Sequence, residues 1–107
     1  MASFGKFIKE QREQRNLSQT EFGALIKVNT PLLSRIENDR KPLSQNKLPL
    51  LAEVLKMKLE EVRDLYFADK FAKEAFENGC SEKVFMVAES ETNYLKQINT
   101  TQGDLKF

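Results

Sequence analysis

The chain has 107 residues, room for one domain with a modest core, and its 40% apolar and 31% charged content describes a folded globular protein. A single cysteine, Cys80, and no histidine exclude an internal disulfide, a cysteine/histidine zinc site and the Ser/His and Cys/His catalytic pairs. The net charge of +1 hides an asymmetry: residues 1–50 carry nine Lys/Arg against five Asp/Glu, and residues 51–107 carry eight against eleven.

From the N-terminus, MASFGKFIKE turns charged at once and has no signal-peptide core, and no apolar run approaches the roughly twenty residues of a membrane span. A cytoplasmic protein is expected. Helix one runs from about Ser3 to Arg15, with Phe4, Phe7, Ile8 and Gln11 on one face and Lys6, Lys9, Glu10 and Glu13 on the other. Asn16 follows as the left-handed residue after the helix, and Leu17 turns inward.

Leu17–Asn38, LSQTEFGALIKVNTPLLSRIEN, reads as two short helices joined by a tight turn. Ser18 caps the first, with Glu21 three residues on completing a capping box. Asn29 caps the second, and Pro31 falls in its first turn, where a missing amide proton costs little. Phe22, Leu25, Ile26, Val28, Leu33 and Ile36 are spaced to form the inner faces. Gly23 stands where two crossing helices need almost no side chain. This is a helix-turn-helix pattern, and it lies in the basic half of the chain, as an electrostatic footprint for phosphates requires.

A polar, basic loop, Asp39-Arg40-Lys41-Pro42, leads to a fourth helix from Asn46 or Lys47 to about Lys56, with Leu48, Leu51, Ala52 and Leu55 inward and Pro49 confined to its first turn. A fifth helix runs from about Leu59 to Glu77 and stops at Asn78-Gly79. Leu59, Val62, Leu65 and Tyr66 continue the core, and Phe67, Phe71 and Phe76 follow. A sixth, capped by Ser81, runs from Glu82 to about Ile98 with a stripe of Val84, Phe85, Val87, Ala88, Leu95 and Ile98. Cys80 reads as a partly buried loop thiol, and Asn99–Phe107 as a flexible tail. The expected organisation is a DNA-binding domain over 1–66, a C-terminal helical extension over 67–98 and a tail over 99–107. The two late helices can fold back on the first four or pair with a second copy; stripes this large favour pairing, with Phe67, Phe71, Phe76 and Phe85 at the interface. Twofold symmetry also suits a palindromic DNA site.

From Phe7 to Leu65 the chain resembles the Cro/C1, or Xre, family of helix-turn-helix regulators. The matching residues are LSQTEF at Leu17–Phe22, Val28, SRIEN at Ser34–Asn38, the basic loop with Pro42, and then LPLLAEVL and LEEVRDL. The resemblance implies an all-α, five- to six-helix, lambda-repressor-like fold with added C-terminal helices. Its small size and helical extension are most similar to the controller proteins of restriction–modification operons. Two positions depart from the pattern: Lys27 and Asp39 stand where glycine is common, so Lys27 must enter the left-handed region or the turn must differ.

By this resemblance Thr30, Pro31, Ser34 and Arg35 face the major groove, with Arg35 suited to bidentate bonding of guanine. Gln19, Asn38, Arg40 and Lys41 contact phosphates, and Arg12 and Glu37 form a structural ion pair. The implied partners are a double-stranded DNA operator and a second copy of the chain, with RNA polymerase a further candidate. No enzyme activity, metal, cofactor, membrane or small-molecule ligand is expected. The competing reading is an antitoxin or phage-type repressor whose C-terminal helices bind a partner protein.

Overall fold

Ser3 opens the first helix, α1 (Phe4–Gln14): its backbone is extended and its hydroxyl accepts the Lys6 amide proton at 3.1 Å. The computed structural model describes residues 3–102, with side chains through residue 99. All of its regular elements are helical: α1, α2 (Gln19–Ile26), α3 (Thr30–Glu37), a 3-10 turn at Gln45–Lys47, α4 (Leu48–Leu55), α5 (Leu59–Glu77) and α6 (Lys83–Gln102). The chain divides into two compact units, Met1–Lys70 and Phe71–Phe107, so the boundary falls within α5.

In the first unit, α3 packs against α1 and α2, and α2 also packs against α4. Phe4, Phe7 and Ile8 from α1 join Phe22, Ile26, Val28, Leu33, Ile36, Leu51, Leu55 and Val62 in one core. Tyr66 closes it from α5: its ring meets Phe4 edge-on at 5.2 Å, and its hydroxyl donates to the Leu43 carbonyl at 2.7 Å. The aromatic body thus fills the core while its polar tip is satisfied by the loop after α3.

Leu25 departs from the expected inner face and is 48% exposed. Phe22, Gly23 and Ile26 are the buried positions of α2. At about 100° per residue, Leu25 lies roughly 60° outside the arc they define. The period of the apolar residues overcounted the core by one.

Five helices end alike. Asn16, Lys27, Asp39 and Lys56 have φ between 55° and 59°, and Gly79 has φ 70°. In each case the following amide reaches back to a carbonyl in the last turn: Leu17 to Arg12 (3.3 Å), Val28 to Gly23 (2.8 Å), Arg40 to Arg35 (2.8 Å), Met57 to Ala52 (3.0 Å) and Cys80 to Ala75 (3.0 Å). These bonds satisfy carbonyls that a helix end otherwise leaves open. Leu17, Val28 and Met57 then drop onto the core, so these three turns are also held by apolar burial. Lys27 therefore adopts the left-handed conformation in place of the expected glycine, with φ 58° and ψ 47°.

Gly23 is required by the turn rather than by crossing helices. A Cβ there would collide with the Val28 carbonyl oxygen, whereas the nearest atom of α3, Leu33 Cδ2, lies at an ordinary 3.8 Å. Pro49 falls in the first turn of α4, as its missing N–H demands.

In the second unit, α6 starts at Lys83, after the Ser81 carbonyl accepts the Val84 amide, and continues to Gln102. The helix is thus longer than the expected stop at Ile98, and residues 99–102 belong to it rather than to a flexible tail. The remainder of that tail, 103–107, lies outside the described residues. Thr92 sits in mid-helix with its hydroxyl bonded to the Ala88 carbonyl at 2.8 Å, which lets a β-branched polar residue stay in the helical ladder. Phe71 and Phe85 meet edge-on at 5.3 Å, while Phe76, Met86, Val87, Tyr94 and Leu95 are exposed. Cys80, which follows the left-handed Gly79, is exposed, not partly buried.

Candidate nucleic-acid interface

The turn between α2 and α3 is built by local chemistry. Ser18 accepts the Glu21 amide proton at 3.1 Å, and the Glu21 carboxylate accepts the Ser18 amide proton at 2.9 Å, closing a capping box. The Ser18 amide, and after it the Ser18 hydroxyl, hold the Glu21 carboxyl below the usual carboxylate range, because hydrogen bonds to the carboxylate favour its ionised form. Lys27 reverses the chain, its carbonyl accepts from Lys47 Nζ at 3.1 Å, and Asn29 caps α3 through the Leu32 amide at 2.9 Å. The first helix of the motif is thereby fixed against the second.

On α3, Leu33, Ile36 and Glu37 face inward. Pro31 and Arg35 are exposed, while Thr30 and Ser34 are half-buried. Thr30, Pro31, Ser34 and Arg35 follow the one, four, five spacing of one helix side, so they share a single outward arc. Among the described residues no side chain holds the Arg35 guanidinium, which leaves its planar fork of donors open to solvent.

The proposed phosphate contacts are placed unevenly. Arg40 and Lys41 are exposed in the turn that follows α3. Asn38 is exposed as well, but its amide donates to the Ser34 carbonyl at 2.8 Å and so helps to close the helix. Gln19 is half-buried at the start of α2, and its Nε2 donates to Glu37 Oε1 at 3.0 Å. An amide nitrogen has a second proton, so this bond leaves one donor on Gln19 to spare.

Glu37 is the hub behind the interface. Arg12 donates to it twice, from Nε at 2.7 Å and from the terminal nitrogen at 3.0 Å, and a further Arg12 donor reaches the Leu17 carbonyl at 2.9 Å. The Glu37 side chain is 1% exposed, so these partners stand in the place of water around it. The hydrogen bonds to Glu37 raise the Arg12 pKa above its usual value, outweighing the opposing effect of burial. One buried carboxylate thereby ties α1, the start of α2 and α3 together.

Three features of this site were not visible as such in the sequence. Thr20 and Thr30 bring their hydroxyls within 3.1 Å of each other. Ser3 donates to Asp39 Oδ2 at 2.7 Å, joining the start of α1 to the end of α3. Gly5 admits the Ile36 carbonyl, which a Cβ at that position would strike. The spacing of Ser3 and Gly5 carries no hint of a partner more than thirty residues away; only the crossing of α1 and α3 supplies it.

Phe67, Phe71, Phe76 and Phe85 are all exposed, from 37% for Phe71 to 84% for Phe76. Phe67 packs edge-on against Tyr66 at 5.1 Å, and Lys70 stands 6.0 Å over its ring. No cluster of acidic or thiol side chains suited to a metal ion occurs among the described residues. No helix of the described chain is long and apolar enough to cross a membrane.

A helix-turn-helix family model matches residues 8–62, which includes the whole motif, most of α1, all of α4 and the start of α5. The chain belongs to the Cro/C1-type helix-turn-helix family, whose members are DNA-binding transcriptional regulators. Among solved structures it is similar to a chain of the SinR protein/SinI protein complex, with 22% identity and a TM-score of 0.50, over 88% of this chain and 98% of that one. At that identity the likeness concerns the fold. No curated protein matches.

Proposed function

We propose that the protein is a sequence-specific transcriptional regulator that binds a palindromic operator as a homodimer in the cytoplasm. The outward arc of α3 carries this reading: Thr30, Pro31, Ser34 and the open guanidinium of Arg35 stand on a helix whose opposite side is locked into the core. Arg35 reads a guanine through O6 and N7, Thr30 and Ser34 bond base edges, and Pro31 offers apolar contact. Gln19, with its spare amide proton, holds a phosphate at the start of α2. Asn38, Arg40 and Lys41 hold the backbone at the other end of α3.

Four groups per protomer read few base pairs, so useful specificity calls for two copies on a twofold site. The apolar residues exposed on α5 and α6 support such pairing, because contiguous apolar surface mostly marks an interface. The small size and the helical extension also support a controller of a restriction–modification operon. The same exposed residues support a second reading, in which they dock a different protein, as SinR and SinI form a complex with each other. In either case RNA polymerase is a candidate contact when the protein is bound at a promoter.

Sedimentation equilibrium of the purified chain tests the pairing. A homodimer that Phe71→Asp and Phe85→Asp convert to monomers, with about tenfold or greater loss of operator affinity, supports the regulator. A monomer that assembles only with a second protein supports the alternative. Selection of bound sequences from a random duplex pool tests DNA reading itself: a palindromic consensus is expected, and enrichment of no sequence overturns it.

A further inference from the structure

The Thr20 and Thr30 hydroxyls lie 3.1 Å apart, and either can be the donor. Thr30 is the first residue of α3, on the arc proposed to face the bases, and Thr20 is exposed on the second residue of α2. A hydroxyl has one proton and can otherwise only accept. The pair therefore has a direction: the hydroxyl that donates to its neighbour has no proton left for anything else. A third group that can only accept, placed on one end, fixes that direction for both.

We propose that Thr20 is a positioning residue for base recognition: it donates to a DNA phosphate, accepts from Thr30, and so makes Thr30 an acceptor that selects a base bearing an exocyclic amino group. This rests on the reading of α3 as the recognition helix. A phosphate oxygen only accepts, so Thr20 must give it its single proton. Thr20 then bonds Thr30 only as an acceptor, and the Thr30 proton is used on Thr20. What remains on Thr30 for DNA is a lone pair. In the major groove the groups that donate to a lone pair are N6 of adenine and N4 of cytosine, whereas guanine O6 and thymine O4 are acceptors and are rejected. A lone threonine at position 30 would swivel its hydroxyl to suit either class; the partner at position 20 removes that freedom. Gln19, the preceding residue, is already turned onto Glu37 with one amide proton free, so two adjacent donors at the start of α2 are available to the same stretch of backbone.

The test uses the full chain and the consensus selected from a random duplex pool. The position that Thr30 reads is the one whose preference Thr30→Val alters. Every base pair carries one exocyclic amino group in the major groove, on adenine or on cytosine, and deleting the one at this pair, by substituting purine or 2-pyrimidinone, should weaken wild-type binding about three- to tenfold. Thr20→Val should abolish most of that sensitivity and widen the preference to all four bases. Thr20→Ser should preserve it, and Arg35→Ala should leave it intact while lowering affinity. A purely structural role for Thr20 would lower affinity for the consensus and its amino-deleted form equally. Wild-type binding that amino deletion at the Thr30 base pair leaves unchanged overturns the proposal, as does a Thr30→Val variant with an unaltered consensus, or a Thr20→Val variant as sensitive to amino deletion as the wild type. If no sequence is enriched at all, the DNA reading fails and the relay falls with it.

Discussion

The backbone of Gly5 in α1 lies so close to the Ile36 carbonyl oxygen in α3 that no side chain fits between them, and Asp39 Oδ1 stands 2.7 Å from where a Cβ would be. Both obstacles are held from behind. Ile36 is buried, and Asp39 is bonded by Ser3 and sits in the left-handed turn that ends α3. Alanine is ordinarily better than glycine in a helix by about 1 kcal/mol. Here that gain is outweighed, because the clash is with backbone and can be relieved only by moving the recognition helix. Gly5→Ala should lower stability by about 1–3 kcal/mol in urea titration. It should also weaken DNA binding at temperatures where the variant remains folded. A variant as stable as wild type would show that α1 and α3 can separate freely.

Glu37 answers to three elements at once, so its replacement should be felt more widely than its size suggests. Removing one partner of a buried ion pair strands the other charge, typically at about 3–5 kcal/mol. Glu37→Gln keeps the shape but leaves Arg12 facing an amide, with one acceptor in place of two charged oxygens. It should unfold at markedly lower urea concentration than wild type. The pair Arg12→Met with Glu37→Met should recover much of the loss, because no unpaired charge remains. A Glu37→Gln variant within about 0.5 kcal/mol of wild type would contradict the role of hub.

Much of this architecture could be read from the chain, and what escaped did so for physical reasons. Capping boxes, asparagine caps and proline in a first turn are local, so Ser18, Glu21, Asn29 and Pro31 announced their helices correctly. Helix ends are harder: Lys27, Asp39 and Lys56 take a conformation usually given to glycine, and the returning amide bonds, with burial of Val28 and Met57 after the two lysines, make it favourable. Apolar identity does not say on which side of an eight-residue helix the packed arc stops, so Leu25 reads as core yet is exposed. The contacts of Gly5, Asp39 and Thr20 were invisible because their partners are set by helix crossings, not by sequence spacing. The end of α6 was placed early because polar residues past Ile98 offer no apolar period, although they propagate a helix well enough once it has begun.

Acid should act on the capping box of α2. The Glu21 carboxyl is held below its ordinary range, first by the Ser18 amide and then by the Ser18 hydroxyl. A group whose folded pKa is lowered contributes stability above its unfolded pKa, and that contribution is lost as pH falls through the folded value. The loss should therefore begin near pH 4.3, the ordinary glutamate value of about that size, and continue below it. Glu21→Gln retains an acceptor for the box but cannot titrate, so its stability should vary less with pH across this interval than that of wild type. Because Glu21 is exposed, the difference should be small. Thermal unfolding at stepped pH, with wild type and Glu21→Gln compared at each step, provides the measurement. Parallel curves would mean that the box contributes nothing titratable.

Arg35 and the Arg40–Lys41 turn should separate cleanly when binding is measured against both sequence and salt. A guanidinium paired to guanine discriminates among bases, so Arg35→Ala should cost about 1–3 kcal/mol on the selected operator and relax preference at one position. Its effect on random DNA should be much smaller. Phosphate contacts act through counterion release and carry no sequence information. Arg40→Ala and Lys41→Ala should therefore weaken binding to operator and random DNA alike, each reducing the slope of log K against log salt by roughly 1. The geometry gives reason to expect the split: Arg35 stands on the helix arc itself, whereas Arg40 and Lys41 lie in the turn beyond Asp39. Mobility-shift titrations at four salt concentrations, on the operator and on a scrambled duplex, give both quantities together. Loss of sequence preference in Lys41→Ala, or an unchanged operator affinity in Arg35→Ala, would reverse the assignment of base and backbone contacts.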